Sequence, residues 1–153
     1  MNIVDRAKAL AIGAHSGQVN KFNGEPYILH PERVANAIYH EGGTEIQVAI
    51  AWLHDVIEDT VNDFGWLRNS LLNHSDAESW KVTNVVEGVR LLTKVPGVTN
   101  EVYYYRLVRH DDARKVKLFD ILDNLSRVHA IGDAADRKRL VDKYVLGLRI
   151  LAR

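Results

Sequence analysis

The chain has 153 residues, of which 46% are hydrophobic and 26% are charged, so it can form one globular domain with a full core. Its formal net charge is zero, which gives no electrostatic reason to expect a nucleic acid or a membrane surface as a partner. Because the chain has no cysteine, disulfides and thiolate metal sites are excluded, and any metal must be bound by histidine and carboxylate side chains.

The first part of the chain is predicted to form two helices joined by a polar loop. Apolar residues recur at helical spacing from Ile3 to about His15. This segment carries acid early, which is typical of an amphipathic helix rather than a signal peptide, and no apolar run is long enough to span a membrane. We therefore expect a cytoplasmic protein. Residues 16–26 form the loop, and Pro31 is predicted at the first position of the second helix, which ends at Gly42.

A third helix is predicted to end in a cluster of ionisable residues. Thr44 and Gln47 form a capping box at its start, and residues 48–53 are all apolar. The chain then continues without a break into His54, Asp55, Glu58 and Asp59. On one continuous helix these four side chains would share a sector of roughly 140°.

The second half of the chain is also predicted to be helical. Ser75 and Glu78 suggest a capping box for a helix that ends before Pro96. A further helical pattern covers residues 113–130, and Asp133 can cap the last helix. Since no segment shows sustained alternation with period two, the predicted fold class is all-α.

The chemistry of the ionisable cluster indicates a metal site. A buried helix does not carry four such groups without compensation, because desolvating a charge costs several kcal/mol. His54 and Asp55 offer a nitrogen and an oxygen to a divalent cation, while Glu58 and Asp59 are free for acid–base work on water. The alternative is a helix C-terminus that ends in a solvated acidic turn.

Two further residues are candidates for the same site. Asp120 interrupts an apolar helix face, with Asn124 one turn later, although Lys117 one turn earlier allows a simple surface ion pair. His30 precedes a proline, where a helix cap or a packed residue is the alternative. Together with the cluster they would give a two-histidine, two-carboxylate site that suits Mn²⁺, Fe²⁺ or Zn²⁺ better than Ca²⁺. Its members would be His30, His54, Asp55 and Asp120.

This order of residues resembles the HD superfamily of metal-dependent phosphohydrolases. Residues 14–31, 51–60 and 116–124 are similar to the hydrolase domain of the RelA/SpoT group. Since no synthetase or regulatory domain is present in the sequence, the chain resembles a stand-alone small alarmone hydrolase. The resemblance implies a helical HD-domain bundle, with residues 1–153 as a single metal-dependent phosphohydrolase domain.

The resemblance also implies a reaction and a role for each matching residue. The reaction would be the removal of the 3′-pyrophosphate from (p)ppGpp, which leaves GDP or GTP. Mn²⁺ would be bound by His30, His54, Asp55 and Asp120. The attacking water would be positioned and activated by Glu58 and Asp59. The nucleotide would be contacted by Lys21, Asn124, Tyr144, the weaker candidate Lys94, and Asn20, which stands next to Lys21.

Two departures from the family pattern affect substrate recognition rather than the metal site. The Arg–Lys pair of the family is Asn20–Lys21 here, and asparagine cannot stack on a purine base as arginine can. The arginine usually found two residues after Asn124 is Ser126, and Arg127 follows one position late, turned by about 100°. Adenine alarmones such as ppApp and the 2′-phosphate of NADPH therefore remain alternative substrates.

Two other functions fit the same pattern. One is a nucleotide phosphomonoesterase that releases orthophosphate, and the other is a non-catalytic module that senses nucleotides. All four metal positions and both catalytic carboxylates are present, which argues against the sensing module.

Overall fold

The computed structural model describes residues 1–153 and contains nine α-helices, one 3₁₀ helix and no β-strand. The all-α, single-domain prediction is therefore confirmed. No helix combines the length and the apolar character that crossing a membrane requires. The helices are α1 Ile3–Ala14, α2 Leu29–His40, α3 Glu45–Leu53, α4 Val56–Asp59, α5 Phe64–His74, α6 Ser79–Leu92, α7 Asn100–Leu107, α8 Asp111–Arg127 and α9 Ala134–Leu151, with the 3₁₀ helix Val128–Ala130 before α9.

Helix α3 forms the core of the bundle. All its residues from Val48 to Leu53 are buried, and it packs against α1, α2, α6 and α8. Helix α6 approaches α3 closely at Gly88, where a Cβ atom would clash with the Ile50 side chain. Because a helix surrounded in this way is held on several sides, the residues at its end have fixed positions relative to α2 and α8.

The end of α3 differs from the prediction. The helix ends at Leu53 and does not continue through the ionisable cluster, since Asp55 has φ −105° and ψ −2° and α4 is a separate short helix. At this turn the His54 imidazole Nδ1 donates to the backbone oxygen of Ala51 at 2.6 Å. The side chain thus bonds to one of the carbonyl groups that a helix end leaves free. His54, Asp55, Glu58 and Asp59 consequently do not share one helical face.

The helix starts agree with the sequence in two cases. The capping box of α3 is present, with Thr44 Oγ1 accepting from the Gln47 N–H and Gln47 Oε1 accepting from the Thr44 N–H, both at 3.1 Å. Asp133 caps α9 by accepting from the Ala135 N–H at 2.9 Å. Local side-chain to backbone bonds such as these depend only on neighbouring residues.

Two other helix starts differ from the prediction. The Ser75 hydroxyl donates to the Leu71 oxygen at the end of α5, so it forms no capping box with Glu78, and α6 begins without a side-chain cap. Helix α2 begins at Leu29, which makes Pro31 its third residue. The preceding residue Ile28 is already in the α-helical region, and the loop therefore leads into α2 through a helical turn.

Candidate metal centre and its cavity

Four ionisable side chains from three parts of the chain converge inside the bundle. Helix α2 contributes His30, the turn between α3 and α4 contributes His54 and Asp55, and α8 contributes Asp120. One possible ligand atom of each residue lies within 4.8 Å of those of the other three. His30 and His54 are each 2% exposed and Asp120 is 3% exposed. The structure thus brings together all four residues that the sequence predicts as metal ligands.

The bond to Ala51 fixes how His54 faces this cluster. Since Nδ1 donates to a backbone oxygen, the other ring nitrogen, Nε2, is directed towards the carboxylates. It lies 3.0 Å from Asp55 Oδ2 and 3.3 Å from Asp120 Oδ1. A histidine with one ring nitrogen bonded to a backbone carbonyl and the other directed at the remaining candidate ligands has the usual arrangement of a metal ligand.

His30 is held between two carboxylates. Its Nε2 lies 2.7 Å from Asp120 Oδ1, and its Nδ1 lies 2.7 Å from Asp123 Oδ2. Because an ionised carboxylate can only accept, both ring nitrogens carry a proton in the metal-free protein. Burial disfavours the charged ring, but the bonds to Asp120 and Asp123 outweigh burial and raise the pKa of His30 to about 9.

Asp123 is a member of this site that the sequence analysis does not predict. Its carboxylate also accepts from Arg33 Nε at 2.8 Å, and Arg33 Nη2 donates to Glu25 at 2.6 Å. Carboxylates behind a ligating histidine orient the ring and raise its basicity. The signal that could have identified Asp123 is its position three residues after Asp120, on the same side of α8.

Arg127, which stands one position after the place of the family arginine, lies near the Asp123 and Glu25 carboxylates and does not line the cavity. Arg127 Nε lies 3.6 Å from Asp123 Oδ1 and 3.8 Å from Glu25 Oε1. The Ser126 hydroxyl donates to the backbone oxygen of Asp123 at 2.6 Å. Neither Ser126 nor Arg127 therefore faces the cavity above the cluster.

Asp120 is the most strongly bonded carboxylate of the cluster. Its Oδ2 accepts from Lys117 Nζ at 2.7 Å, and its Oδ1 accepts from Asn124 Nδ2 at 3.2 Å as well as from His30. The Lys117 and Asp120 side chains are only 15% and 4% exposed, so the alternative of a surface ion pair is wrong. Burial would raise the pKa of Asp120, but the charges of Lys117 and His54 hold it well below its ordinary value.

The chemistry of the donor set fits a first-row divalent metal. Two imidazole nitrogens and two carboxylate oxygens suit Mn²⁺, Fe²⁺ or Zn²⁺, whereas Ca²⁺ prefers oxygen alone. The raised pKa of His30 indicates that Asp120 and Asp123 favour positive charge at this place. A divalent ion supplies that charge when the histidines are neutral.

A cavity of about 290 Å³ opens above the cluster. Most of the predicted site residues line it, namely Asn20, Lys21, Asp55, Glu58, Asp59, Asp120, Asn124 and Tyr144. It is also lined by residues to which the sequence analysis assigns no role in binding, namely Gln18, Val19, Phe22, Tyr27, Lys117 and Lys143. His30, His54 and Lys94 do not line it.

The two predicted catalytic carboxylates differ in their surroundings. Burial and the charge of Asp55 raise the pKa of Asp59 to about 6. Glu58 Oε1 accepts a hydrogen bond from the Lys94 backbone N–H at 2.9 Å, which orients this carboxylate. The nearby Tyr27 hydroxyl donates to Asp55 Oδ2 at 2.5 Å and so fixes a predicted metal ligand.

Two of the predicted nucleotide contacts are engaged elsewhere in the structure. The Lys94 ammonium donates to Asn100 Oδ1 at 2.6 Å and lies outside the cavity lining, so its contact with phosphate stays a prediction. Asn20 is 5% exposed, and its side-chain oxygen accepts from the Phe22 N–H at 2.8 Å. That carbonyl therefore stabilises the loop, although the residue borders the cavity.

Curated proteins similar to this chain include three pyrophosphohydrolases. The probable guanosine-3′,5′-bis(diphosphate) 3′-pyrophosphohydrolase of Synechocystis sp. is 33% identical over 144 residues, which is 89% of this chain and 18% of that protein. The guanosine-3′,5′-bis(diphosphate) 3′-pyrophosphohydrolase of Aquifex aeolicus is 29% identical over 140 residues, with coverages of 88% and 19%. The enzyme of that name from Haemophilus influenzae is 33% identical over 144 residues, with coverages of 90% and 20%. The chain thus spans about a fifth of the length of these relatives. No protein-family model matches it.

A solved structure shares the fold. It is described as a metazoan ortholog of SpoT that hydrolyses ppGpp, and it superposes with a TM-score of 0.80 at 21% identity, covering 99% of this chain and 86% of that chain. The chain therefore has the fold of that structure, and the curated relatives confirm the resemblance to the RelA/SpoT hydrolases. The chain itself is a homologue of one segment, about a fifth in length, of the bacterial pyrophosphohydrolases.

Proposed function

We propose that the chain is a metal-dependent enzyme that removes the 3′-pyrophosphate from (p)ppGpp, leaving GDP or GTP, and that residues 1–153 form one hydrolase domain. The observation that carries this proposal is the His/Asp cluster beneath a cavity lined by carboxylates and by lysines. Phosphates need cationic partners, and hydrolysis at neutral pH needs a metal or an activated water. The names of the Synechocystis and Aquifex relatives support the same reaction. A location in the cytoplasm belongs to this proposal, because nucleotides are found there.

The metal would be held by His30, His54, Asp55 and Asp120, and we propose Mn²⁺ as the ion. When bound, it would withdraw charge from the phosphoryl group under attack and make water more acidic. Asp123 and Ala51 would keep the two histidines in position through the ring nitrogens that face away from the cluster. Tyr27 would do the same for Asp55 through its hydroxyl hydrogen bond.

Glu58 and Asp59 would position and activate the attacking water. A pKa of about 6 leaves Asp59 mostly ionised at neutral pH and still basic enough to accept a proton from water. Glu58, held by the Lys94 N–H, would orient the same water. The water oxygen bonds to the phosphorus attached to the 3′ oxygen, the bond between that phosphorus and the 3′ oxygen breaks, and the 3′ oxygen takes up a proton. Pyrophosphate leaves the nucleotide without a covalent intermediate on the protein.

The nucleotide would be contacted by Lys21, Asn124 and Tyr144, which all line the cavity. Asn20 would bind the purine base less specifically than the family arginine. Its carbonyl is bonded to the Phe22 N–H, and an amide cannot stack on a base as a guanidinium does. Adenine alarmones such as (p)ppApp are therefore included in the proposed substrate class.

Incubation of the purified chain with Mn²⁺ and ppGpp, ppApp or NADPH, with pyrophosphate and orthophosphate measured separately, tests the proposal. Pyrophosphate from ppGpp or ppApp is the expected result, and the ratio of the two rates measures the preference for the base. Orthophosphate from NADPH alone would make the protein a phosphomonoesterase. If none of the three nucleotides gives a product although metal is bound, the proposed enzyme is wrong and the protein is the non-catalytic module that senses nucleotides.

A further inference from the structure

Two of the three lysines that line the cavity form no ion pair in the protein. Lys143 on α9 lines the cavity and is half-buried, yet it forms no ion pair, whereas Lys117, which lines the same cavity, is paired with Asp120 at 2.7 Å. Lys21 lines the same cavity and also forms no ion pair. The ammonium groups of Lys21 and Lys143 thus have no carboxylate within ion-pair distance, although carboxylates line the same cavity.

The position of Lys143 is unfavourable for a cation. Burial and the charges of Lys117 and Lys94 lower the pKa of Lys143, and these causes outweigh the opposite effect of the Asp120 charge. Withdrawing an ammonium group from water beside other cations destabilises the charged form, and a bound anion would reverse this cost.

No contact of the Lys143 side chain with the rest of the protein accounts for a lysine at this position. Its backbone oxygen accepts from the Tyr104 hydroxyl at 3.3 Å, but any residue at this position would provide that oxygen. The ammonium lies 5.8 Å from the centre of the Tyr144 ring, a weak contact at a site open to water. The charge is therefore available to a ligand.

We propose that Lys143 forms a phosphate subsite, which binds a phosphate of the substrate other than the one under attack and so determines how many phosphates the enzyme prefers. This inference rests on the proposed function, because it takes the ligand to be a nucleotide with several phosphates. The phosphate can come from two sources, namely the outer group of the 3′-pyrophosphate or the 5′-diphosphate. Both are anions of the same chemistry, which lysine binds as a point charge.

The two reaction products separate these sources without any turnover. Calorimetric titration of the metal-loaded protein with inorganic pyrophosphate reports on the 3′ group, and titration with GDP reports on the 5′ group. Lys143→Met keeps the apolar part of the side chain and removes the charge, and it is expected to weaken one of the two ligands by about tenfold. Lys143→Arg should restore most of the affinity because it restores the charge.

Lys138→Met is the matched control. Lys138 is also on α9 but is exposed and paired with Asp142 at 2.7 Å, outside the cavity, so this change should leave both affinities unaltered. The thermal midpoint of Lys143→Met should not fall, since the substitution removes a half-buried unpaired charge. Wild-type affinity of Lys143→Met for both ligands would overturn the subsite, and so would an equal loss in Lys138→Met or the absence of binding to the wild type.

Failure of the Lys143 subsite can be distinguished from failure of the proposed function. If Lys143→Met loses affinity but the wild type releases no pyrophosphate from either ppGpp or ppApp, the subsite stands and the proposed reaction is wrong. If the wild type releases pyrophosphate and Lys143→Met binds both products normally, the reaction stands and the subsite is wrong.

Discussion

Replacing Asp123 with asparagine is expected to weaken metal binding without changing any predicted ligand. One oxygen of the Asp123 carboxylate lies 2.7 Å from His30 Nδ1, and the other accepts from Arg33 Nε at 2.8 Å. Asparagine has nearly the same shape but offers one oxygen and one NH₂ group, so one of these donors would face another donor. Either His30 loses the acceptor that orients its ring, or Arg33 loses its partner.

The expected loss follows from the place of Asp123 behind His30, a predicted metal ligand. Removing such a carboxylate typically lowers metal affinity about 10- to 100-fold, which corresponds to about 1.4–2.7 kcal/mol. We expect the upper part of this range, because Asp123 is only 12% exposed and Arg33 would remain beside a neutral amide. At saturating Mn²⁺ the turnover of ppGpp should fall by less than about tenfold, since the ligands themselves are intact.

Competition between the protein and a chromogenic chelator measures the Mn²⁺ affinity of the variant. Asp142→Asn is the control, because Asp142 is exposed on α9 and is paired only with Lys138. Unchanged Mn²⁺ affinity in a folded Asp123→Asn protein would refute the assignment of Asp123 as the residue that positions His30.

Three further predictions concern the proposed catalytic and metal-binding residues. Glu58→Gln should keep wild-type Mn²⁺ content but lose about 100-fold in ppGpp turnover, because a neutral amide would no longer orient the attacking water towards the phosphorus as the carboxylate does. Full activity would remove Glu58 from the mechanism. Asp120→Ala should abolish metal binding and lower the free energy of unfolding by about 3–5 kcal/mol, since Lys117 is left buried without its partner; urea unfolding measures this, and a wild-type midpoint would contradict it. For the metal-free protein, the pKa of His30 lies at about 9 in the folded state and near 6.5 in the unfolded state. The contribution of His30 to stability is therefore complete below pH 6.5 and is lost as the pH rises through about 9. The Mn²⁺ affinity should rise over the same pH range, because metal binding releases the proton. A urea midpoint or an Mn²⁺ affinity that does not change between pH 6.5 and 9 would contradict this prediction.

The sequence predicts the members of the cluster better than their local backbone. His54 and Asp55 adjoin an apolar run, and Asp120 interrupts another, so each stands out against the period of its helix. The break of α3 at His54 was not predictable from that period. It accompanies a side-chain bond to Ala51 that competes with the helix, and the packing of α2 and α8 around α3 decides whether the histidine faces inward.

Partnerships between distant residues account for most of what the sequence does not predict. Asp123 and His30 are 93 positions apart, and neither residue carries a local signal for the other. Lys143 lies next to Tyr144 in an amphipathic helix, where a lysine is ordinarily solvated. Only the fold brings it into the lining of the same cavity as Lys117. By contrast, the cap at Thr44 is a local interaction, and the sequence predicts it correctly.

Hydrolysis of ppGpp in water enriched with ¹⁸O, with mass analysis of both products, tests the central claim most directly. If water attacks the phosphorus attached to the 3′ oxygen, the wild-type protein with Mn²⁺ should release pyrophosphate carrying one ¹⁸O atom per turnover, and GDP should carry none. Release of orthophosphate, or ¹⁸O on the nucleotide, would contradict the claim.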